Sequence, residues 1–240
     1  MCPDRRQHRG AHPSDRNLFD ATRLPDIRRA VADLSLLLSR GYAHKSSLKL
    51  VGDRYRLTER QRIAVSRAAC ADAQIEKRNA SRVEIESLRD ERVAIDGFNL
   101  LITLEAALSG GVIALCRDHC LRDLSSVHGS YRSVDETRKA ILLVGEALEE
   151  VKPSHVKWFL DRPVSNSIRL AQKMIDLGAE RGWEWEVEVL MNPDAALIES
   201  NAIAITSDSL VLDRVERWAN LADHLISSQV ADAWIIDLRP

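Results

Sequence analysis

Four aspartates stand where short apolar runs end. Asp96 follows the run 92–95 and Asp161 the run 155–160; Asp194 lies just past the run 186–190 and Asp208 just past 202–205. If those runs are neighbouring strands, the carboxylates gather at one edge, repel one another in a partly dry cleft and need a cation to be tolerated. Hard carboxylate oxygens with few Cys or His partners select Mg2+ or Mn2+ over zinc. Such an ion bridges a phosphate, polarises its oxygens and activates water. A single Asp after a strand is commonly a turn residue or an N-cap; recurrence at four ends is what argues for a site. Asp237 ends a fifth run, near the last residue, and is expected only to terminate its strand. Asp213, with Arg214 and Glu216, reads as surface.

Two segments add detail. In AIDGFNLL (94–101), Gly97 permits a sharp turn, and Asn99 can orient Asp96 or meet a phosphate. In AIAITSDSLVLD (202–213), Thr206, Ser207 and Asp208 occupy a strand-to-helix junction, where a hydroxyl and free helix N–H groups can meet an anion. The plainer expectation is that Ser207 or Asp208 only caps the helix.

These residues need a scaffold. After residue 90, strands at 92–95, 112–116, 155–160, 186–190, 202–205 and 233–236 alternate with helices at 100–108, 133–150, 165–181, from Pro193, 209–218 and 221–227. Ser133-x-x-Glu136 reads as a capping box, Ser165 as a cap, and Asn192-Pro193 as a helix start. The alternation predicts an α/β fold: an open, mostly parallel sheet with helices on both faces. Ligands of such sheets bind outside the carboxyl ends of the strands, near the point where strand order reverses.

The first part of the chain differs. Residues 1–90 hold 19 Lys and Arg against 12 Asp and Glu, whereas residues 91–240 hold 15 against 24. We expect a disordered tail (1–20), a small basic helical domain (21–76), a linker (77–90) and the α/β domain (91–240). Ile27, Val31, Leu34 and Leu38 mark a helix closed by Gly41, and Thr58 with Gln61 forms a capping box before a second helix. Lys45, Lys49, Arg54, Arg56, Arg60 and Arg62, near Tyr42 and Tyr55, form a candidate nucleic-acid-binding set. The competing expectation is that these arginines pair with the acidic half and hold the two parts together.

AIDGFNLL, FLDRPVSNS (159–167), NPDAALIE (192–199) and AITSDSLVLD (204–213), in that order, resemble PIN-like nucleases, particularly the NYN branch. The resemblance covers roughly residues 91–240 and implies a PIN-like, Rossmann-like sheet. It implies Asp96, Asp194 and Asp208 as metal ligands, Asp161 and Ser165 on a loop lining the site, and RNA as substrate. With LLSRGY (37–42) and LVGDRYRLTERQR (50–62), the whole chain also resembles an uncharacterised prokaryotic family that pairs a small basic domain with a PIN-like one.

The segment 116–132 departs from the nuclease pattern. Asp123 can supply a further acid, and Arg122 and Arg132 can hold a phosphate bidentately; a loop tied by its own salt bridges is the alternative. Cys116-x-x-His119-Cys120 lacks the second ligand pair of a structural zinc site, so His119 and His128 read as loop residues.

The expected activity is metal-dependent phosphodiester cleavage, as an endoribonuclease using Mg2+ or Mn2+. Asp96, Asp161, Asp194 and Asp208 are its catalytic candidates; Asn99, Arg122, Asp123, Arg132, Ser165 and Ser207 are its substrate-binding candidates. The alternative is a nucleic-acid- or nucleotide-binding protein without turnover. RNA is the expected partner, DNA the second choice, and a homodimer is left open. A haloacid-dehalogenase phosphatase is disfavoured because Phe98 stands where the second Asp is needed, and a dinucleotide oxidoreductase because no G-x-G-x-x-G follows the first strand. No apolar run reaches the 18 or so residues of a membrane span. The start, MCPDRRQHRG, has no apolar signal core, and four cysteines suit a reduced, cytoplasmic protein.

Overall fold

Successive side chains of a strand point to opposite faces, so each apolar run assigns its residues to one layer or another. The computed structural model describes residues 8–125 and 131–240. Its first part is helical: α1 (Asp15–Leu18), α2 (Leu24–Ser39), α3 (His44–Arg54), α4 (Glu59–Ala68) and α5 (Asp72–Ser81). Then follow β1 (Arg82–Val83), β2 (Arg92–Asp96), α6 (Gly97–Leu108), β3 (Val112–Leu115), β4 (Leu121–Asp123), α7 (Thr137–Val151), β5 (His155–Asp161) and α8 (Ser167–Arg181). The remainder is β6 (Trp185–Leu190), α9 (Pro193–Glu199), β7 (Ile203–Ile205), α10 (Ser209–Leu212), β8 (Trp218–Ala219), α11 (Leu221–Gln229) and β9 (Trp234–Asp237).

Six strands pair in parallel, in the order β1-β8-β7-β2-β5-β6. Val93, Ile95, Trp158, Leu160, Ile203 and Ile205 share one core with residues of α6, α7, α8 and α11. Their neighbours Ala94, Phe159 and Ala204 point the other way and pack with Leu197 of α9 and Val211 and Leu212 of α10. The fold is therefore a mixed α/β arrangement with a mostly parallel sheet flanked by helices. From β2 the chain proceeds along the first face to β5; from β7 it crosses the second face, by α10, to β8. Strand order reverses between the neighbours β2 and β7.

A second sheet, β4-β3-β9, pairs β3 parallel to β9 and antiparallel to β4. Its Val112, Ala114 and Ile236, with Cys116, Leu124 and Leu238, share a core with Phe19, Ile27, Val31, Leu34, Val51 and Val65. The N-terminal helices thus pack onto this small sheet.

Several expectations need correction. Within 1–20, residues 8–20 are ordered by packing: Phe19 is buried, and the buried Asp15 carboxylate takes an ion pair from Arg60. Residues 1–7 lie outside the described residues. The stretch 77–90 is no linker, since Arg78 is among the largest fully buried side chains. Helix α3 buries only Ser47, Val51 and Gly52, too few apolar positions to show a period in the sequence. Ser133 does not cap α7, which begins at Thr137, whose Oγ1 accepts from Val134 N at 2.9 Å. Asn166, not Ser165, holds the position before α8. The segment 209–218 divides into α10 and β8. The Thr58–Gln61 capping box and the Asn192-Pro193 start are present. Among the described residues, no helix is long and apolar enough to cross a membrane.

Candidate functional site

Asp96 ends β2 and opens α6. One carboxylate oxygen accepts from Asn99 N at 3.3 Å, the geometry of an N-cap. A Cβ on Gly97 would lie 2.5 Å from Leu160 Cδ2 and 3.0 Å from the Phe159 carbonyl oxygen. Glycine there lets α6 start against β5, holding Asp96 close to that strand.

Ile95 pairs in register with Ile205, which brings Thr206 beside Asp96. Thr206 Oγ1 donates to Asp96 Oδ2 at 2.8 Å and accepts from Asp208 N at 3.0 Å. Ser207 N and Oγ both donate to Asn99 Oδ1, at 2.8 and 3.0 Å. Asp208 caps α10, its Oδ1 accepting from Leu210 N at 2.7 Å. The junction is therefore self-satisfied: the Ser207 amide and hydroxyl, expected to be open to an anion, are spent on Asn99.

Asp161 lies two residues past Phe159 and Asp96 two past Ala94, so both point toward the side carrying α9 and α10. Asp194 lies in the first turn of α9 and Asp208 at the start of α10. The four acids thus converge on one side of the sheet, at its carboxyl edge, around the reversal of strand order. Their fields interlock. Burial pushes the Asp96 carboxyl up to about 7, with Asp208 and Asp194 adding repulsion and the bonds from Thr206 and Asn99 opposing it. Asp161 is raised by burial, then by Asp194 and Asp208. Asp194 is raised by burial and Asp208, with Arg214 opposing. The donor set is all carboxylate, the chemistry that suits Mg2+ or Mn2+. Among the described residues, however, no group of three or more His, Cys, Asp or Glu side chains is arranged to hold a metal ion.

The other expected residues are placed differently. Ser165 is exposed in the loop after Asp161. Asp123 is buried; it accepts from Ser125 N at 2.6 Å and from Thr103 Oγ1 at 3.2 Å, and is spent on structure. Arg122 is also buried, with its guanidinium donors engaged by Asp118, the Ser207 carbonyl and the Arg67 carbonyl. Arg132 is exposed, and its carbonyl accepts from Arg9 at 3.0 Å. Asp213, expected at the surface, pairs with the buried Arg78 at 2.7 Å. Asp237 belongs to the second sheet and pairs with Arg239, which holds its carboxyl below the usual range.

The basic set divides. Arg60 pairs with Asp15 and reaches the Leu124 carbonyl, Arg62 pairs with Asp53 at 2.7 Å, and Arg54 stands 3.6 Å from Asp33. Lys45, Lys49 and Arg56 are exposed. Arg67 and Arg78 also join the N-terminal helices to the rest of the chain. Cys70, Cys116 and Cys120 are buried, and burial raises the Cys70 and Cys116 thiols to about 11. Inert thiols suit a packing role. His119 faces Arg239, and His128 lies outside the described residues.

Two buried ionic groups lie outside the four acids. One is Arg78–Asp118–Arg122, whose Asp118–Arg122 pair is the internal salt bridge expected as the alternative for 116–132, while its link to Arg78 was not expected. The other is Glu105, whose fully buried carboxylate accepts from Tyr131 Oη and Thr137 Oγ1, each at 2.5 Å, and pairs with Arg9. A lone Glu inside the apolar run 100–108 was the available signal, because a buried charge requires partners.

These features define a mixed α/β protein with a helical N-terminal part and an acidic carboxyl edge. The chain belongs to the family described as a domain of unknown function, DUF5616, matched over residues 85–224. Residues 26–80 match the description protein of unknown function, DUF434. The uncharacterized protein MJ0935 of Methanocaldococcus jannaschii is 33% identical over 186 residues, covering 78% of this chain and 88% of that one. No solved structure matches.

Proposed function

We propose that this chain is a metal-dependent nuclease with a PIN-like fold, acting as an endoribonuclease. The supporting observation is the convergence of Asp96, Asp161, Asp194 and Asp208, three of which have raised carboxyl pKa values and interlocking repulsion. Such repulsion is relieved by a divalent cation. Asp96, Asp194 and Asp208 would hold Mg2+ or Mn2+, and Asp161 would orient the attacking water. The ion, when bound, supplies Lewis-acid polarisation of the phosphate and a more acidic water. Thr206 and the Asn99 amide fix the Asp96 carboxylate, and exposed Lys45, Lys49 and Arg56 would hold phosphates. RNA as substrate rests on the fold-level resemblance.

The test is a divalent-metal titration with a labelled RNA pool. Wild type is run beside Asp96→Asn and Asp208→Asn, with EDTA controls. Mg2+- or Mn2+-dependent cleavage, lost in both variants, is expected. A second reading, a binding protein without turnover, draws on the missing three-ligand arrangement among the described residues. It predicts no cleavage, with salt-sensitive RNA retention unchanged in both variants.

A further inference from the structure

The loop carrying Thr206, Ser207 and Asp208 is held from behind by two arginines outside the six-stranded sheet. Arg122, on β4, donates Nε–H to the Ser207 carbonyl at 2.7 Å. Arg78, on α5, donates from Nη2 to the Ser209 carbonyl at 3.2 Å and from Nε to Asp213 Oδ1 at 2.8 Å. Asp118 joins them: it takes both Arg122 Nη atoms, at 2.8 and 2.6 Å, and Arg78 Nη1 at 2.6 Å. Arg78, Asp118 and Arg122 are 1%, 1% and 5% exposed. Two guanidinium charges are balanced by Asp118 and Asp213, so the cluster is neutral and densely hydrogen-bonded, the condition under which buried ions are sustained. The Trp218 indole N–H donates to the Arg78 carbonyl at 2.8 Å, tying α5 to the strand that follows the loop.

We propose that Arg78–Asp118–Arg122 is a positioning clamp, through which α5 of the N-terminal part fixes the Ser207–Asp208 segment of the candidate site. The inference rests on the reading of the four aspartates as the functional site. Arg122 is a positioning residue: it touches the site through the Ser207 backbone alone. Ser207 in turn gives its amide and hydroxyl to Asn99, and Asn99 lies on the turn capped by Asp96. Displacement of the Ser207 carbonyl would therefore loosen Asn99 and Asp208 together. The N-terminal part would act on the site by fixing its geometry, independently of any contact it makes with nucleic acid.

The test compares Arg122→Lys with Arg117→Met in the full chain. Lysine keeps the charge but loses the planar fork that serves Asp118 and Ser207 at once. Arg117→Met removes a different link, from Arg117 to Asp72 and the Cys70 carbonyl, without touching the loop. Amide hydrogen exchange is measured on metal-free protein, and Mn2+ affinity by electron paramagnetic resonance on the same samples. Arg122→Lys is expected to speed exchange at the Ser207 amide about tenfold or more while Trp158 in β5 keeps its rate, and to weaken Mn2+ several-fold. Arg117→Met is expected to leave both readouts unchanged. Unchanged Ser207 exchange in Arg122→Lys, or an equal rise in Arg117→Met, overturns the clamp. If Arg122→Lys does not fold, Arg78→Lys, which keeps the Arg122–Asp118 pair, is judged by the same exchange criterion at Ser207. If wild type binds no Mn2+, the metal reading fails, and exchange still decides the clamp.

Discussion

Thr206 Oγ1 and Asp96 Oδ2 are 2.8 Å apart, a hydrogen bond that joins β7 to β2 where the strand order reverses. It holds a carboxyl whose pKa is about 7 in the folded chain, against an ordinary 3.8. Between those values the folded protein keeps a proton that the unfolded chain has released. The resulting stabilisation is full below about pH 4, declines as pH rises, and is gone above about pH 7. Asp161 and Asp194, also raised, act in the same direction. Metal-free protein is therefore expected to melt at a higher temperature at pH 5 than at pH 8, with a difference on the order of a few kcal/mol. Asp96→Asn keeps an N-cap side chain, and should be the more stable protein at pH 8 and flatten the slope. Thermal melts across this range check it; a variant melting below wild type at pH 8 contradicts the account.

Thr206→Val isolates the hydroxyl. Its hydrogen bond favours the charged carboxylate, so removing it leaves burial and the repulsion from Asp208 and Asp194 less opposed. The Asp96 midpoint is expected to rise above its wild-type value, by about half to one pH unit. Carboxyl carbon NMR titration reads this directly. A midpoint that stays or falls would assign the raised value to some other environment.

Arg9 and Glu105 tie the start of the described chain to α6. The Glu105 carboxylate is fully buried, and the Arg9 guanidinium also lies 4.8 Å from the centre of the Tyr131 ring. Arg9→Met leaves that carboxylate without its cation, and a loss of about 3–5 kcal/mol is expected. Adding Glu105→Gln should recover part of it, because the neutral amide no longer needs an ion. Urea denaturation of the two single variants and the double variant checks the coupling. Additive losses would mean that Arg9 contributes packing alone.

How far the sequence speaks depends on where the determining contacts lie. Of the parallel strands, β2, β5, β6 and β7 were legible because an apolar run is local, as were the Thr58–Gln61 box and the Asn192-Pro193 start; the two-residue strands β1 and β8 are too short to leave such a run. The acids at strand ends were legible one at a time. Their convergence requires β7 to pair with β2 after β6, a long-range choice that no local pattern encodes. The two readings of Arg122, phosphate ligand or internal salt bridge, stayed open for a similar reason. In an acidic and basic insertion, an arginine that faces solvent and one that meets a buried Asp118 look alike. Residues 8–20 read as unstructured because their apolar content is low; their order comes from one buried ring, Phe19, and from the long-range ion pairs of Arg60 with Asp15 and Arg9 with Glu105.

Lys45, Lys49 and Arg56 are exposed members of the N-terminal set that stand apart from the ion pairs of Arg54, Arg60 and Arg62 with Asp33, Asp15 and Asp53; Arg54 is exposed as well. Lys45 and Lys49 are four residues apart on α3 and so share a face, and Tyr42, 60% exposed, stands just before that helix. Each cation withdrawn from a phosphate should reduce the magnitude of the slope of log affinity against log salt by about 0.7 on single-stranded nucleic acid. The triple variant Lys45→Gln, Lys49→Gln, Arg56→Gln is therefore expected to bind RNA more weakly, with a slope lowered by up to about 2. Its melting temperature should match wild type, because exposed side chains outside ion pairs contribute little to stability. Filter binding at several salt concentrations reads the slope. Substituting Arg60 alone should do the reverse: breaking its pair with the buried Asp15 lowers stability by about 3–5 kcal/mol and leaves the salt slope unchanged. If the triple variant keeps the wild-type slope, α3 is not where the nucleic acid lies, and the basic excess of residues 1–90 serves the internal pairing that Arg60, Arg67 and Arg78 already display.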